Sequence, residues 1–469
     1  MQPFPDPRRD AADRLVSPKD VVRSGLCIGC GSCAGSHSDA AMAWDRDGFL
    51  KPNGPADWYS QPSEVFSAQC PFSPAAANED AIAAERFPDA PLAHGRLGRF
   101  EAAYVGYAAE PGFRANGSSG GMTSWVATEL LRSGRVDAVA HVSAADPDLR
   151  GGFFEYRVSR TPGELGTGAK SRYYPIELSD VLREIRETPG RYAVVGVPCF
   201  IKAIHLLRGI DPVLRERVTH TLGLFCGHMK SAAMVESFAW QLGKEVRQVK
   251  ALDYRIKDQT RPANWYRTHL DLKDGSAAEQ DWWHLADGDW GAGFFQNPAC
   301  NWCDDVVAET ADIAFGDAWV EPYSSDGRGT NVVIVRTPEM KQIVERARAE
   351  GRLHLDPVDA DFVIRTQAAG LRHRRDGLAY RLTWPRRGLR PRKRVAPSAA
   401  LPLRRKLVYR MRFAIARWSH RVMRLARTAG APGIYILWAR IMLRLYQSAA
   451  WSRGRLGHLL DRVMPRAER

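Results

Sequence analysis

The strongest constraint on this 469-residue chain is its set of eight cysteines. They fall into two groups of four with none left over: Cys27, Cys30, Cys33 and Cys70, then Cys199, Cys226, Cys300 and Cys303. The first three have C-x2-C-x2-C spacing, and the glycines between them let the backbone wrap closely and turn N–H groups inward. Cys70 stands apart, followed by Pro71. Loop closure becomes costlier only slowly with length, so a distant fourth ligand is physically acceptable. Four thiolates are what one 4Fe-4S cluster takes, so the cysteines point to two such clusters. Zinc prefers two C-x2-C pairs or Cys/His mixtures, which the tight triplet does not offer. Disulfides need an oxidising compartment, and the first residues do not read as a signal peptide. Taken alone, Cys199 and Cys226 also fit buried core cysteines.

Charge is distributed unevenly. Residues 385–469 hold 22 Lys and Arg against 2 Asp and Glu, which leaves the preceding residues at a net −6 within an overall +14. The body is therefore mildly acidic and the basic character belongs to the C-terminal segment. Apolar residues make up 45% of the chain, enough for a sizeable core. No apolar stretch approaches the roughly 20 residues that span a bilayer. The longest, 434–446, is interrupted by Arg440 and Arg444. A cytoplasmic protein with reduced thiols is expected, and a position on the inner membrane face is open to it through the basic segment.

The pattern along the chain predicts an α/β (α+β) fold in four parts. Residues 1–75 carry the first cysteines on a ferredoxin-like segment, with a loose polar leader over 1–25. Residues 76–99 read as a linker, 100–384 as the α/β domain, and 385–469 as a basic helical tail. A hairpin is expected over 42–50, turning at Asp47-Gly48. Strands are expected at 102–108, 136–142, 192–197, 218–225, 311–315 and 331–336, and a strand pair at 246–256 with 267–272. Cys199 and Cys226 then fall just beyond the carboxyl ends of two strands, where open α/β sheets bind ligands. The run Asn116-Gly117-Ser118-Ser119-Gly120-Gly121-Met122-Thr123 leads into a helix. Such a loop is either an anion cradle at a helix N-terminus or a plain capped turn. Residues 163–171 resemble a phosphate-binding loop, but Ala169 separates the last glycine from Lys170 and no good strand precedes it.

In combination these stretches resemble the beta subunits of coenzyme F-420 hydrogenases and dehydrogenases, a family whose relatives include chlorophyll-pathway vinyl and hydroxymethyl reductases. The resemblance rests on the Cys27–Cys33 triplet with Cys70-Pro71, Ser118 to Thr123, Ser171-Arg172-Tyr173, Gly196 to Cys199, Cys300 to Asp304, and Gly316 to Trp319. It implies an iron–sulfur flavoprotein oxidoreductase with two 4Fe-4S clusters and FAD. Asn116, Ser118, Ser119, Gly120, Gly121 and Thr123 would cradle the FAD phosphates, with Lys170, Ser171 and Tyr173 nearby. The second cysteine set would hold a cluster close to the flavin, and the first set a second cluster that serves as an electron port. Ferredoxin or a reduced deazaflavin would be the electron partner. The family often has His-Gly where Cys226 is followed by Gly227-His228, and Lys where Arg172 stands; these departures leave the substrate open. By placement, His228 and Asp317 are the candidate catalytic acids, although His228 also fits a helix-end histidine. The alternatives are a ferredoxin-dependent reductase of a tetrapyrrole or glycan precursor, an electron-transfer subunit with no substrate of its own, and a zinc-bound module.

The tail has its own pattern. Leu403, Leu407, Met411, Ile415, Trp418, Val422 and Leu425 recur at helical spacing with arginines elsewhere on the wheel, and Pro432 starts a second helix through 451. Three readings fit: a helix lying on anionic lipid, a helical hairpin packed on the body or a partner, and nucleic-acid binding.

Overall fold

The computed structural model describes residues 15–386 and 388–464. Of the leader expected over 1–25, residues 1–14 lie outside the described residues, and the remainder is not loose. Val16 is buried, and Ser17 caps helix α1 (Pro18–Arg23) in a capping box with Asp20. Strands β1 (Ala41–Trp44) and β2 (Leu50–Asn53) form the expected hairpin. Its turn is held by Asp45 Oδ1, which accepts from the N–H groups of Asp47 and Phe49 at 2.9 Å each. The stretch expected as a linker is folded as well. Asn78 caps helix α2 (Glu79–Arg86), and β3 (Leu92–His94) pairs with β4 (Gly98–Phe100).

The main sheet takes strands from across the next 260 residues. These are β5 (Ala102–Ala108), β6 (Ala138–Ala144), β7 (Phe154–Ser159), β8 (Tyr192–Gly196) and β9 (Val218–Leu224). After a separate antiparallel sheet of β10 (Val249–Asp253), β11 (Arg267–Leu272) and β12 (Ala277–Asp281), the main sheet resumes with β13 (Ile313–Asp317), β14 (Asn331–Val335) and β15 (Leu353–Pro357). The order is β15-β5-β14-β13-β9-β8-β6-β7. β6, β8, β9 and β13 run parallel, and the pairings of β14 with β13 and with β5 are both antiparallel, so β5 runs with them too. Central strands such as Tyr-Ala-Val-Val-Gly in β8 carry apolar residues on both faces because both faces are covered. One edge of the sheet therefore collects the carboxyl ends of five strands and the amino ends of β7, β14 and β15. β7 had no forecast, and it precedes the 163–171 segment where no strand was expected. The segment opens in a short helix, Pro162–Gly166.

Helix α3 (Met122–Arg132) follows β5, α4 (Pro198–Ile210) follows β8, and α5 (Ala233–Gln241) follows β9. The C-terminal helices are α6 (Leu403–Thr428), α7 (Pro432–Trp451) and α8 (Gly454–Val463). α6 and α7 form a hairpin that packs on the body: Val408, Ile415, Met423, Tyr435, Ala439 and Tyr446 share one core with Phe238, Trp282 and Phe295. The predicted stripe on α6 is corrected. Ile415 is buried, but Leu403, Trp418 and Leu425 are exposed, and the body-facing line runs through Val408, Ile415, Ser419 and Met423. Both sides of this helix carry apolar residues: of the predicted stripe, Leu407, Met411 and Val422 are half-buried against the same core as Ile415, and only Leu403, Trp418 and Leu425 turn outward. The preceding basic stretch is likewise no free linker. Lys393 and Arg394 are nearly buried and pair with Asp304 at 3.4 and 3.3 Å, and Arg394 pairs with Glu309 at 2.6 Å. No helix of the described residues is long and apolar enough to cross a membrane.

If α6 belongs to the core, Ile415→Ala lowers unfolding stability by about 2–4 kcal/mol, whereas Leu425→Ala on its exposed side changes it by less than about 0.5 kcal/mol. Denaturant titration followed by tryptophan fluorescence compares the two; equal small effects would contradict the packing.

Candidate functional site

The parallel edge presents Cys199 and Cys226 side by side. β8 ends at Gly196, and Pro198 occupies the first turn of α4, where its missing N–H costs nothing, with Cys199 next. Cys226 lies two residues past β9, its N–H donating to the Val306 carbonyl at 2.9 Å. Cys300 lies in the tight turn Pro298–Trp302, opened by the Asn297 side chain, and Cys303 follows it directly. The four thiols line one buried cavity together with Ile28, Phe72, Pro198, Met229, Asp305 and Arg374. The Met229 N–H reaches Cys300 Sγ at 3.3 Å. Arg374, 1% exposed, donates to the Cys300 carbonyl at 2.8 Å and the Gly227 carbonyl at 2.5 Å. Burial pushes the Cys226 thiol up to about 12, and the Arg374 guanidinium acts against that rise.

The first set lines a second cavity: Cys27, Cys30, Cys33 and Cys70, walled by Pro18, Val21, Phe66 and Phe72 among others. The chain folds around it because Gly29 and Gly31 adopt φ of +81° and +78°. A Cβ on Gly29 would stand 2.6 Å from the Leu50 carbonyl oxygen, and one on Gly31 would collide with Glu177. Cys70 follows the helix Glu64–Gln69, which brings the distant fourth thiol to the triplet. Burial pushes the Cys30 thiol up to about 11. Ile28 and Phe72 line both cavities, so the two abut across a wall of apolar side chains. All eight cysteines are free thiols.

Each predicted group of four is thus brought together. Among the described residues, no three His, Cys, Asp or Glu side chains are arranged to hold a single metal ion. The thiols surround a space instead. A cubane cluster takes one thiolate at each of its four irons, and four thiols around a small space are a donor set that fits such a group.

The glycine–serine loop lies at the same sheet edge. Gly120 packs so closely that a Cβ would stand 2.8 Å from both Asn331 Oδ1 and the Gly106 carbonyl oxygen. Asn331, at the start of β14, accepts from the Met122 N–H at 3.1 Å and donates to the Gly316 carbonyl at 3.0 Å, anchoring the N-terminus of α3. The Ser171 N–H donates to Ser118 Oγ at 2.8 Å, which joins two predicted groups separated in sequence. Lys170 pairs with Asp253 at 3.0 Å, and Asn116 ends a short helix and is exposed. Two cations without a sequence signal stand behind the loop. Lys257 donates to the carbonyls of Arg114 and Ser119, and Arg255 donates to that of Ser118 at 3.2 Å. Burial pushes Lys257 down to about 8.

An aromatic cluster connects this loop with the second cavity. Tyr173 contacts Trp290 (centroids 4.7 Å apart) and Tyr254 (5.5 Å), and Trp290 stacks on His228 at 4.3 Å. Arg255 lies over Tyr266 and pairs with Asp317 at 3.1 Å. His228 is not a helix-end histidine: it lies in the β9–α5 loop, two residues beyond Cys226 and 4% exposed. Burial, reinforced by Lys230, holds it well below the usual imidazole range, so its ring is neutral. Asp317 and His228 thus occupy different sides of the cluster, linked through Trp290, Tyr173 and Tyr266.

Fold and site together define an α/β protein built around paired four-thiol cavities. Residues 103–183 match the N-terminal part, and residues 190–361 the C-terminal part, of the coenzyme F420 hydrogenase/dehydrogenase beta subunit. The two matches cover more than half of the chain, which belongs to this family. Among relatives, an F(420)H(2) dehydrogenase subunit of Methanosarcina mazei is 26% identical over 251 residues, 52% of this chain and 62% of that protein. The match therefore spans less than two thirds of the relative's length. A chain of the F420-reducing [NiFe] hydrogenase complex from Methanosarcina barkeri aligns over 64% of this chain and 99% of its own length, at 18% identity and a TM-score of 0.48. The second cysteine set, the 118–123 loop, His228 and Asp317 lie within the family-matched residues; the first cysteine set and the C-terminal helices lie outside them.

Asn331→Ala leaves the Met122 N–H and the Gly316 carbonyl unpaired in a buried setting. It is expected to lower stability by about 1–3 kcal/mol, measured by denaturant titration. A neutral effect would mean that the loop is held otherwise.

Proposed function

We propose that the protein is an iron–sulfur flavoprotein oxidoreductase, with a 4Fe-4S cluster on each cysteine set and FAD at the 118–123 loop. The observation that carries this reading is the pair of four-thiol cavities sharing the Ile28 and Phe72 wall. Family membership supports an electron-transfer oxidoreductase. When bound, a flavin exchanges electrons in pairs and clusters exchange them singly, so together they convert between the two.

The chain's own residues have distinct tasks in this scheme. Ile28, Phe72, Pro198 and Met229 exclude water from the second cavity, and the Met229 N–H and Arg374 supply positive character against thiolate charge. Ser118, Ser119, Gly120, Gly121 and Thr123 present the N-terminus of α3 to phosphates, backed by Lys257 and Arg255, with Lys170, Ser171 and Tyr173 beside them. Tyr173 and Trp290 form an apolar floor between loop and second cavity. Asp317, fixed by Arg255, and His228, on Trp290, flank that floor as the two candidate proton-handling groups toward an organic substrate. The Methanosarcina mazei relative is described as a dehydrogenase subunit, which supports partner subunits for this chain and makes reduced coenzyme F420 the first electron donor to test, ahead of ferredoxin.

Anaerobically purified protein is expected to contain about eight irons, a matching amount of acid-labile sulfide and one FAD. Cys70→Ser and Cys199→Ser should each remove about four irons. Gly120→Ala should remove the flavin and leave the iron. Zinc with no flavin would overturn the proposal. Oxidation of reduced F420 by the isolated chain would exclude a subunit with no substrate of its own.

A further inference from the structure

Of the 20 large hydrophobic side chains left exposed among the described residues, 11 lie between Leu403 and Val463. A helix on a protein surface normally turns one apolar side inward and a polar side out. α7 does not. Tyr435, Ala439, Tyr446 and Ala449 pack inward, while Ile434, Leu437, Ile441 and Leu445 recur at helical spacing on the outside. Arg440 and Arg444 stand exposed within this outer stripe. On α6, Trp418 and Leu425 are exposed, and the Arg421 guanidinium lies 4.8 Å from the Trp418 ring centroid. Neither helix contains a single Asp or Glu.

We propose that the outer side of the α6–α7 hairpin is an interfacial membrane-docking surface that selects anionic lipid. Apolar tips with arginines between them are what the headgroup boundary accepts: the tips bury shallowly while the guanidinium groups reach lipid phosphates. Arginines inside the stripe would have to be desolvated against a protein partner, whereas at a phosphate layer they are satisfied. The body-facing residues fix this surface rigidly. Ser419 Oγ accepts from the Phe295 N–H at 3.0 Å, and His420 lies 3.1 Å from Ser231 Oγ. Docking would therefore hold the whole molecule in one orientation rather than tether it. The inference stands independently of the cofactors proposed above.

The test is flotation of the full-length protein with vesicles of phosphatidylcholine alone or mixed with phosphatidylglycerol, at low and raised salt. Binding to the mixed vesicles, weakened by salt, is expected, with little binding to phosphatidylcholine. Each of Arg440→Gln and Arg444→Gln should weaken it about fivefold, while Arg440→Lys retains it. The double variant Leu437→Asp/Ile441→Asp should lose at least tenfold, and Leu149→Asp, an exposed leucine elsewhere, should change nothing. All these side chains are exposed, so unchanged thermal unfolding certifies that the variants fold. Absence of binding, equal binding to both vesicle types, or indifference to the double substitution would overturn the proposal. So would self-association without vesicles that the double variant abolishes, which would make the surface a protein interface.

Discussion

The parallel pairing of β8 with β9 is the constraint on which the rest of the site depends. Tyr192 to Gly196 register against Val218 to Gly223, so both strands end at one level and release Cys199 and Cys226 together. An antiparallel pairing would send the two thiols to opposite edges. Adding β13 parallel to β9 brings Asp317 to the same edge, and the two antiparallel steps through β14 return β5 in the same direction, which delivers the 118–123 loop there. Four segments distant in sequence thus meet without any long-range directive beyond strand polarity. The N-terminal cysteine segment then closes over this edge through Ile28 and Phe72.

This makes clear why some parts were legible in the sequence and others were not. The cysteine groups were readable because the number of thiols and the C-x2-C-x2-C spacing are local facts, and the strand ends were readable because apolar runs stop abruptly at Pro198 and Cys226. The Ser118–Ser171 contact was not readable from spacing, since it needs the fold. Nor were Arg255, Lys257, Asn331 and Arg374: the role of each arises from where β10, β14 and a helix after residue 367 arrive, which no local pattern reveals. β7 is an edge strand whose Phe-Glu-Tyr-Arg-Val-Ser alternation is itself a strand signal, and a reading of the sequence could have found it. Residues 15–25 of the leader, the linker and the basic stretch before α6 are folded despite their polar composition. Polar composition reads as solvent exposure, yet Lys393, Arg394 and Glu79 satisfy one another underneath the protein surface.

That buried ion network bears on the second cavity. Asp304 follows Cys303 directly, is 1% exposed, and is held well below the usual carboxylate range by Lys393 and Arg394. A buried pair is weak evidence for stability, because desolvation offsets most of the attraction. Its effect here is geometric: removing either side leaves a bare charge against the turn that carries two thiols. Arg374 lines the same cavity and donates from two of its nitrogens to backbone carbonyls. The cavity is framed by charges that have no freedom to relax, the condition for a preorganised electrostatic environment.

The division of the C-terminal arginines follows the same logic. Arg404 pairs with Asp461 within the C-terminal helices, while Arg424 and Arg427 reach Asp47 and Glu236 and attach the hairpin to the acidic body. Arg417, Arg440 and Arg444 stay outside among apolar side chains. A duplex phosphate backbone would reward the charges but not the leucines and isoleucines between them, whereas a headgroup layer rewards both. Charge is unevenly distributed along the chain, a net +20 over the last 85 residues against a net −6 before them, and a negatively charged surface favours approach by the exposed arginines of the hairpin.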